Sequence, residues 1–203
     1  MNVKIIGIGG CGRNILNRLI DIGFDPDMVV YMDTAREVGP FKSDNFVQLG
    51  KSIFKGLGTG NDPNGGRVAA ELAEGEILEA MKGADTVILL AGLAGGTGGG
   101  AIPFIASLAL DYVGATIAVV TTPANIITPI GAVEGAKSKE RAENALANLR
   151  GVLDEENIHV IPTAKGTLAT MFDNTDKLVA EKVKEILGEQ DGRREREDTL
   201  RFL

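Results

Sequence analysis

The sequence predicts an α/β fold: a Rossmann-like three-layer domain with a mostly parallel sheet and helices on both faces. Three observations carry this expectation. Short apolar runs bounded by turn residues alternate with helix-length segments along the 203 residues. Glycine is abundant, at 27 residues, while aromatic residues make up only 4% and tryptophan is absent, a composition suited to close backbone approaches. Two glycine-rich stretches each follow an apolar run and open a helical pattern.

The buried-strand signature occurs in order at VKIIGI, MVVYM, TVILLAG, TIAVVTT and IHVIP. Between these runs, apolar residues near 3.6 spacing predict helices over 11–22, 66–82, 101–113, 133–149 and 167–187. Parallel neighbours need a crossover of a dozen or more residues, and the helical segments supply it. One domain over 1–187 follows, with Gly188 as a helix stop and 188–203 as a charged tail or helix extension.

A formal net charge of -7, with no basic stripe and no aromatics interleaved with Arg or Lys, excludes nucleic acid as the main partner. It does not exclude a phosphorylated ligand, because anion sites are built from local backbone N–H groups and helix N-termini. The single cysteine, Cys11, has no partner for an internal disulfide, and His159 is too remote to complete a zinc cluster with it. A reducing, cytoplasmic setting is expected. The sequence predicts no signal peptide and no direct membrane insertion, since its most apolar stretch is interrupted by Asp111 and glycine.

The first glycine stretch, GIGGCG at 7–12, has glycines at the first, third and sixth places of the dinucleotide-binding fingerprint. Its residue types serve a nucleotide phosphate or a tight structural turn, and the strand-turn-helix context favours the phosphate. Asp33 lies 21 residues beyond Gly12, where an NAD-binding unit places its ribose carboxylate, so an NAD-linked oxidoreductase is one reading. The second stretch, AGLAGGTGGGAIP at 91–103, weakens that reading. A run of small residues at a second helix start, with a threonine hydroxyl among them, forms a second phosphate cradle, and two cradles point to a polyphosphate.

At this point the motifs resemble the tubulin/FtsZ family. GGTGGG is similar to its glycine signature, GIGGCGRNILNR to its first nucleotide loop, GLGTGNDPNGGRVAAE to its loop near the γ-phosphate, and FDNTD to the start of its central helix. The resemblance implies a GTP or GDP site, with magnesium as a companion ion. By motif position, it implies that Gly9, Gly10, Cys11 and Gly12 line the phosphates and that Asn14 reaches the guanine. It further implies that Gly95, Gly96, Thr97, Gly98, Gly99 and Gly100 hold the α- and β-phosphates, while Thr59, Gly60 and Asn61 meet the γ-phosphate. Phe172 would stack on the base and Asp176 would accept from its ring N–H and amino group. Positions i and i+4 share a helix face, which gives that last pair a physical basis of its own.

The sequence departs from the family pattern at several places. Gly99 stands for the signature's second threonine and Ala94 for one of its glycines, and Met32–Thr34 replace an Asn-Thr-Asp run beside the phosphate end. Glu134 is the candidate ribose ligand, and Thr163 replaces the usual asparagine after the VIP strand. The family continues past its central helix into an acidic loop and a second domain, and nothing in GEQDGRREREDTLRFL resembles that loop. The resemblance therefore implies a nucleotide-binding domain that hydrolyses GTP slowly or not at all by itself, with copies of itself or an FtsZ-like protein as partners. The rival to an assembling GTPase is an assembly module whose nucleotide is structural.

The remaining polar residues have plainer readings. Cys11 fills a small-residue slot, His159 is a strand residue, and Lys137, Lys139 and Arg141 form a solvated helix face. Glu74, Glu76 and Glu79 belong to an ordinary amphipathic helix.

Overall fold

The computed structural model describes residues 2–36, 41–43, 45–123, 127–128, 131–132, 135–167 and 170–201. Its centre is a six-stranded, all-parallel sheet in the order β3-β2-β1-β4-β5-β8. The strands are β1 (Val3–Ile8), β2 (Val29–Asp33), β3 (Phe46–Gln48), β4 (Thr86–Gly92), β5 (Ala115–Thr122) and β8 (Ile158–Pro162). The five expected strands are present, and β3 is an additional edge strand of three residues paired to β2 through Tyr31 and Phe46. A short antiparallel pair, β6 (Ile127–Thr128) and β7 (Gly131–Ala132), stands apart from the sheet.

Alternation along each central strand divides the core into two faces, as a sheet covered on both sides requires. Ile6 and Ile8 of β1 and Val87, Leu89 and Ala91 of β4 pack with the helices of one face. These are α3 (Pro63–Glu71), α4 (Glu74–Met81), α5 (Gly96–Tyr112) and α6 (Ala136–Arg150), preceded by a single turn, α2 (Lys51–Phe54). Val3 and Ile5 of β1 and Ile88 and Leu90 of β4 pack on the other face against α1 (Gly9–Asp21) and α7 (Met171–Arg201). Ile15, Leu16 and Leu19 of α1 and Val179 and Val183 of α7 are fully buried there.

Several helix bounds differ from the sequence expectation for identifiable reasons. The segment expected as one helix over 66–82 begins earlier, because Asp62 caps it by accepting from the Asn64 N–H at 3.0 Å and Pro63 suits the first turn. It then breaks at Leu72–Ala73, and the second piece turns Ile77 and Met81 into the core. Both glycine stretches are themselves first helical turns, so α1 starts at Gly9 and α5 at Gly96. Gly188 does not stop the last helix, which continues through it to Arg201. Among the described residues, no helix is long and apolar enough to cross a membrane.

Candidate functional site

From β1 the chain moves outward through β2 to β3 and then returns to β4 on the opposite side of β1. The strand order therefore reverses between β1 and β4, and open α/β sheets place ligands in the crevice beyond such a switch point. From these two strand ends emerge α1 and α5. Gly9, with φ +72°, turns the chain straight from β1 into α1, and a Cβ placed there would approach the Gly98 nitrogen to 3.1 Å. The two glycine turns thus lie against each other at the mouth of a pocket of about 640 Å³.

The first four N–H groups of a helix have no carbonyl of their own helix to bond. For α1 these belong to Ile8, Gly9, Gly10 and Cys11, and for α5 to Gly95, Gly96, Thr97 and Gly98. All eight residues line the pocket. Neither helix has a side-chain cap or an acidic residue in its first turn, so its own first turn leaves each positive end uncompensated. This is the arrangement that holds anions.

Three of the expected glycines stand apart from these donors. Gly12, Gly99 and Gly100 lie one residue or more past the donors and do not line the pocket. The Gly99 N–H already bonds the Gly95 carbonyl at 3.1 Å. These glycines serve packing instead: a Cβ would come within 2.6 Å of the Gly7 carbonyl carbon at Gly12, 2.3 Å of the Leu93 oxygen at Gly99 and 2.0 Å of the Pro63 oxygen at Gly100.

Thr59, Gly60 and Asn61 form the next wall. Gly60 and Asn61 both have left-handed φ values, +60° and +65°, the second a conformation asparagine tolerates better than most side chains. Gly96 has no room for a side chain because one would meet the Thr59 hydroxyl, so this loop rests directly on the start of α5. Beneath it lies a buried polar network. The Thr34 and Thr97 hydroxyls are 2.7 Å apart, and Asp33 accepts from the Tyr31 hydroxyl at 2.5 Å, the Ala35 N–H at 3.2 Å and the Thr34 hydroxyl at 3.4 Å. Burial and the Asp33 carboxylate push the Tyr31 phenol far above its ordinary value, so it remains a donor. Asp33 is therefore engaged with its own neighbours at the end of β2, which counts against the ribose role it would have in an NAD site.

Phe172 and Asp176 line the same pocket from α7. The Phe172 side is 52% exposed, unusually open for a large ring, whereas Asp176 is partly buried. Burial first, then the nearby Asp173 carboxylate, raises the Asp176 carboxyl to about 7, with Arg18 acting in the opposite direction. Thr175 fixes α7 to the neighbouring loop: its hydroxyl donates to the Met171 carbonyl at 2.7 Å and accepts from the Ala164 N–H at 2.8 Å. Thr163 reaches the pocket from that loop and donates its hydroxyl to the Thr122 carbonyl at 2.8 Å.

Asn14 also lines the pocket, and Arg13 donates to its side-chain oxygen at 2.9 and 3.3 Å, leaving the amide N–H₂ as the group available to a ligand. The Cys11 sulfur lies 3.5 Å from the Thr121 hydroxyl. Glu134 lies outside the described residues. The carboxylates among the described lining residues are Asp33 and Asp176, and no group of three or more His, Cys, Asp or Glu among the described residues is arranged to hold a metal. A magnesium ion here would depend on ligand oxygens and water, the usual habit of that ion beside phosphates.

Sequence reasoning missed Thr34 and Thr175, whose hydroxyls hold the site together from beneath, and misplaced Arg141. The Arg141 side chain is partly buried, and its Nε donates to the Ala94 carbonyl at 2.8 Å. No pattern along α6 announces a contact with a residue 47 positions away.

Fold and site together define an α/β domain with an anion-receiving pocket at the carboxyl edge of a parallel sheet. Residues 2–158 match the tubulin/FtsZ family, GTPase domain, and the chain belongs to that family. It is 37% identical over 164 residues to cell division protein FtsZ 1 of Thermococcus kodakarensis, covering 80% of this chain and 42% of that protein. It is 35% identical over 192 residues to cell division protein FtsZ 2 of Haloferax volcanii, covering 91% and 46%. An empty FtsZ dimer of M. jannaschii superposes with a TM-score of 0.79 at 30% identity, covering 90% of this chain and 53% of that one. The fold also matches a GTPγS-bound protofilament of CetZ2 from Haloferax volcanii, with a TM-score of 0.75 at 23% identity over 92% and 58% of the two chains. The chain thus spans less than half the length of these two curated relatives.

Proposed function

We propose that this chain binds GTP and GDP in the pocket between α1, α5 and α7, as a cytoplasmic protein that self-associates or joins an FtsZ-like partner. The observation that carries the reading is the make-up of one pocket: two uncapped helix starts line it together with an open aromatic ring and, four residues on, a carboxylate. Ring N–H and exocyclic amino group make guanine a double donor along one edge, and a carboxylate accepts from both, whereas adenine offers no such pair.

On this reading residues 1–187 form the nucleotide-binding domain, Gly9–Cys11 and Gly95–Gly98 hold the α- and β-phosphates, and Thr59, Gly60 and Asn61 meet the γ-phosphate. Phe172 covers the base, Asp176 reads its donor edge, and Asn14 donates to an acceptor on the base. Thr163 is the described candidate for a sugar hydroxyl beside Glu134. Magnesium sits on the phosphate oxygens with its remaining sites taken by water, where it neutralises charge.

Asp33, a described lining carboxylate, already accepts from the Tyr31 hydroxyl and the Ala35 N–H, which leaves it less available to orient an attacking water. Efficient hydrolysis therefore requires a group from an adjoining subunit or partner. Phosphate release measured against protein concentration separates this from a structural nucleotide: a threshold concentration supports assembly-linked hydrolysis.

Calorimetric titration of the wild-type protein and Asp176→Asn with GDP, inosine diphosphate and ADP tests the base assignment. GDP should bind wild type most tightly, and the substitution should cost GDP more than inosine diphosphate, which lacks the amino group. Equal losses for all three would remove Asp176 from the role.

A further inference from the structure

Arg141 lies outside the pocket, on the face of α6 turned toward the β4–α5 connection. Its Nε donates to the Ala94 carbonyl at 2.8 Å, and its Nη2 donates to the Ser138 hydroxyl one helical turn earlier at 3.1 Å. Two hydrogen bonds from different guanidinium nitrogens fix its plane as well as its position. Ala94 itself lines the pocket, and Gly95 is the N-cap of α5.

The Ala94 carbonyl and the Gly95 N–H belong to one planar trans peptide and so point in opposite directions. Whichever way the carbonyl is drawn, the N–H faces the other way. Gly95 lacks the Cβ that would oppose rotation of this peptide, and its N–H has only a long 3.4 Å approach to the Gly92 carbonyl. Left alone, the peptide has little to hold it. With the carbonyl turned inward, it would present a negative dipole to an anion at the place where a donor is needed.

We propose that Arg141 is a positioning residue: by holding the Ala94 carbonyl from outside, it keeps the 94–95 peptide turned so that Gly95 N–H serves the phosphate cradle. The proposal rests on the reading of the pocket as a nucleotide site. It assigns Arg141 to the orientation of one donor, not to contact with the ligand. It also explains why a partly buried cation lies against an uncharged loop with, among the described residues, no carboxylate bonded to it.

The test compares GDP with guanosine, which shares the base and sugar but has no phosphate, on wild type, Arg141→Ala, Arg141→Lys and Lys137→Ala. Loss of one oriented donor to a charged oxygen predicts a tenfold or greater loss of GDP affinity in Arg141→Ala, with guanosine affinity unchanged. Lysine keeps the charge but not the fixed plane, so Arg141→Lys should recover only part of the loss. Lys137 lies one turn away on the same face of α6, and its removal should leave GDP binding within twofold of wild type. Unchanged GDP affinity in Arg141→Ala, equal losses for GDP and guanosine, or full recovery by lysine would each overturn the proposal. Amide NMR provides a reading independent of nucleotide: Arg141→Ala should shift the Gly95 and Gly96 amide signals of the ligand-free protein while the β1 signals stay in place. Should wild type bind neither guanosine nor GDP, the nucleotide reading fails by itself, and unmoved Gly95 and Gly96 signals would still overturn the role given to Arg141.

Discussion

The Thr34 and Thr97 hydroxyls meet at 2.7 Å in the interior, joining the end of β2 to the first turn of α5. Thr34 can also donate to Asp33 at 3.4 Å, and Asp33 accepts from Tyr31 and from the Ala35 backbone. The start of α5 is thereby linked, through buried side chains, to the end of β2. A hydroxyl pair of this kind has one proton to spare: when Thr34 donates to Thr97, the Thr97 proton is free for a ligand oxygen.

Replacing Thr97 by valine should lower the stability of the ligand-free protein by about 1–2 kcal/mol, because a buried hydroxyl loses its partner. Valine at both positions should cost less than the sum of the two single changes, since neither hydroxyl is then left behind. Denaturant melts of the four proteins measure this coupling. Strict additivity would show that the two hydroxyls do not depend on each other.

The glycines divide into two groups with opposite expected phenotypes. Gly10 lines the pocket and an added Cβ meets nothing within 4 Å, so Gly10→Ala should leave the melting temperature unchanged or slightly raised while weakening GDP binding. Gly100 is outside the pocket, but an added Cβ would lie 2.0 Å from the Pro63 carbonyl oxygen. Gly100→Ala should destabilise the fold by about 2 kcal/mol or more through the displacement of α3 from α5. Thermal melts and GDP titrations on both variants check the separation, and a stable Gly100→Ala protein would contradict it.

Much of this division was legible in the sequence and part was not. Periodicity and turn residues located the five longer strands, and the first residues of the two glycine turns, with Asn14, Phe172 and Asp176, were marked and line one pocket. The three-residue edge strand β3 is too short to carry a pattern. The distinction between Gly98 and Gly99 depends on which residue starts the helix, which composition alone does not set. Arg141 and Thr34 act through contacts 47 and 63 residues away, and such pairings exist only once the sheet has brought their elements together.

Asp176 gives the site a pH dependence. With its carboxyl raised to about 7, it is largely protonated in mildly acidic solution, and a protonated carboxyl does not accept from both donors of guanine. GDP affinity should rise with pH through about 7 and level off above it, falling towards tenfold per pH unit on the acid side. Binding near neutrality should release a proton, seen as a dependence of calorimetric heat on the buffer's ionisation enthalpy. The effect on the ligand-free fold has the opposite direction. Since the folded state holds this proton more tightly than the unfolded chain, the contribution of Asp176 to stability is present at low pH and lost as pH rises through about 7. Asp176→Asn should abolish both slopes, and a pH-independent GDP affinity in wild type would exclude the ionised carboxylate as the guanine acceptor.

The central claim is that one pocket holds phosphate at the helix starts of α1 and α5 and reads guanine from α7. The most direct measurement is competitive loading: nucleotide-free protein is incubated at pH 8 with equimolar GDP, ADP and NAD, passed through a desalting column, denatured by boiling, and the released nucleotide identified by chromatography. The account predicts GDP approaching one per chain, with ADP and NAD near background. Recovery of NAD or ADP in place of GDP would contradict it.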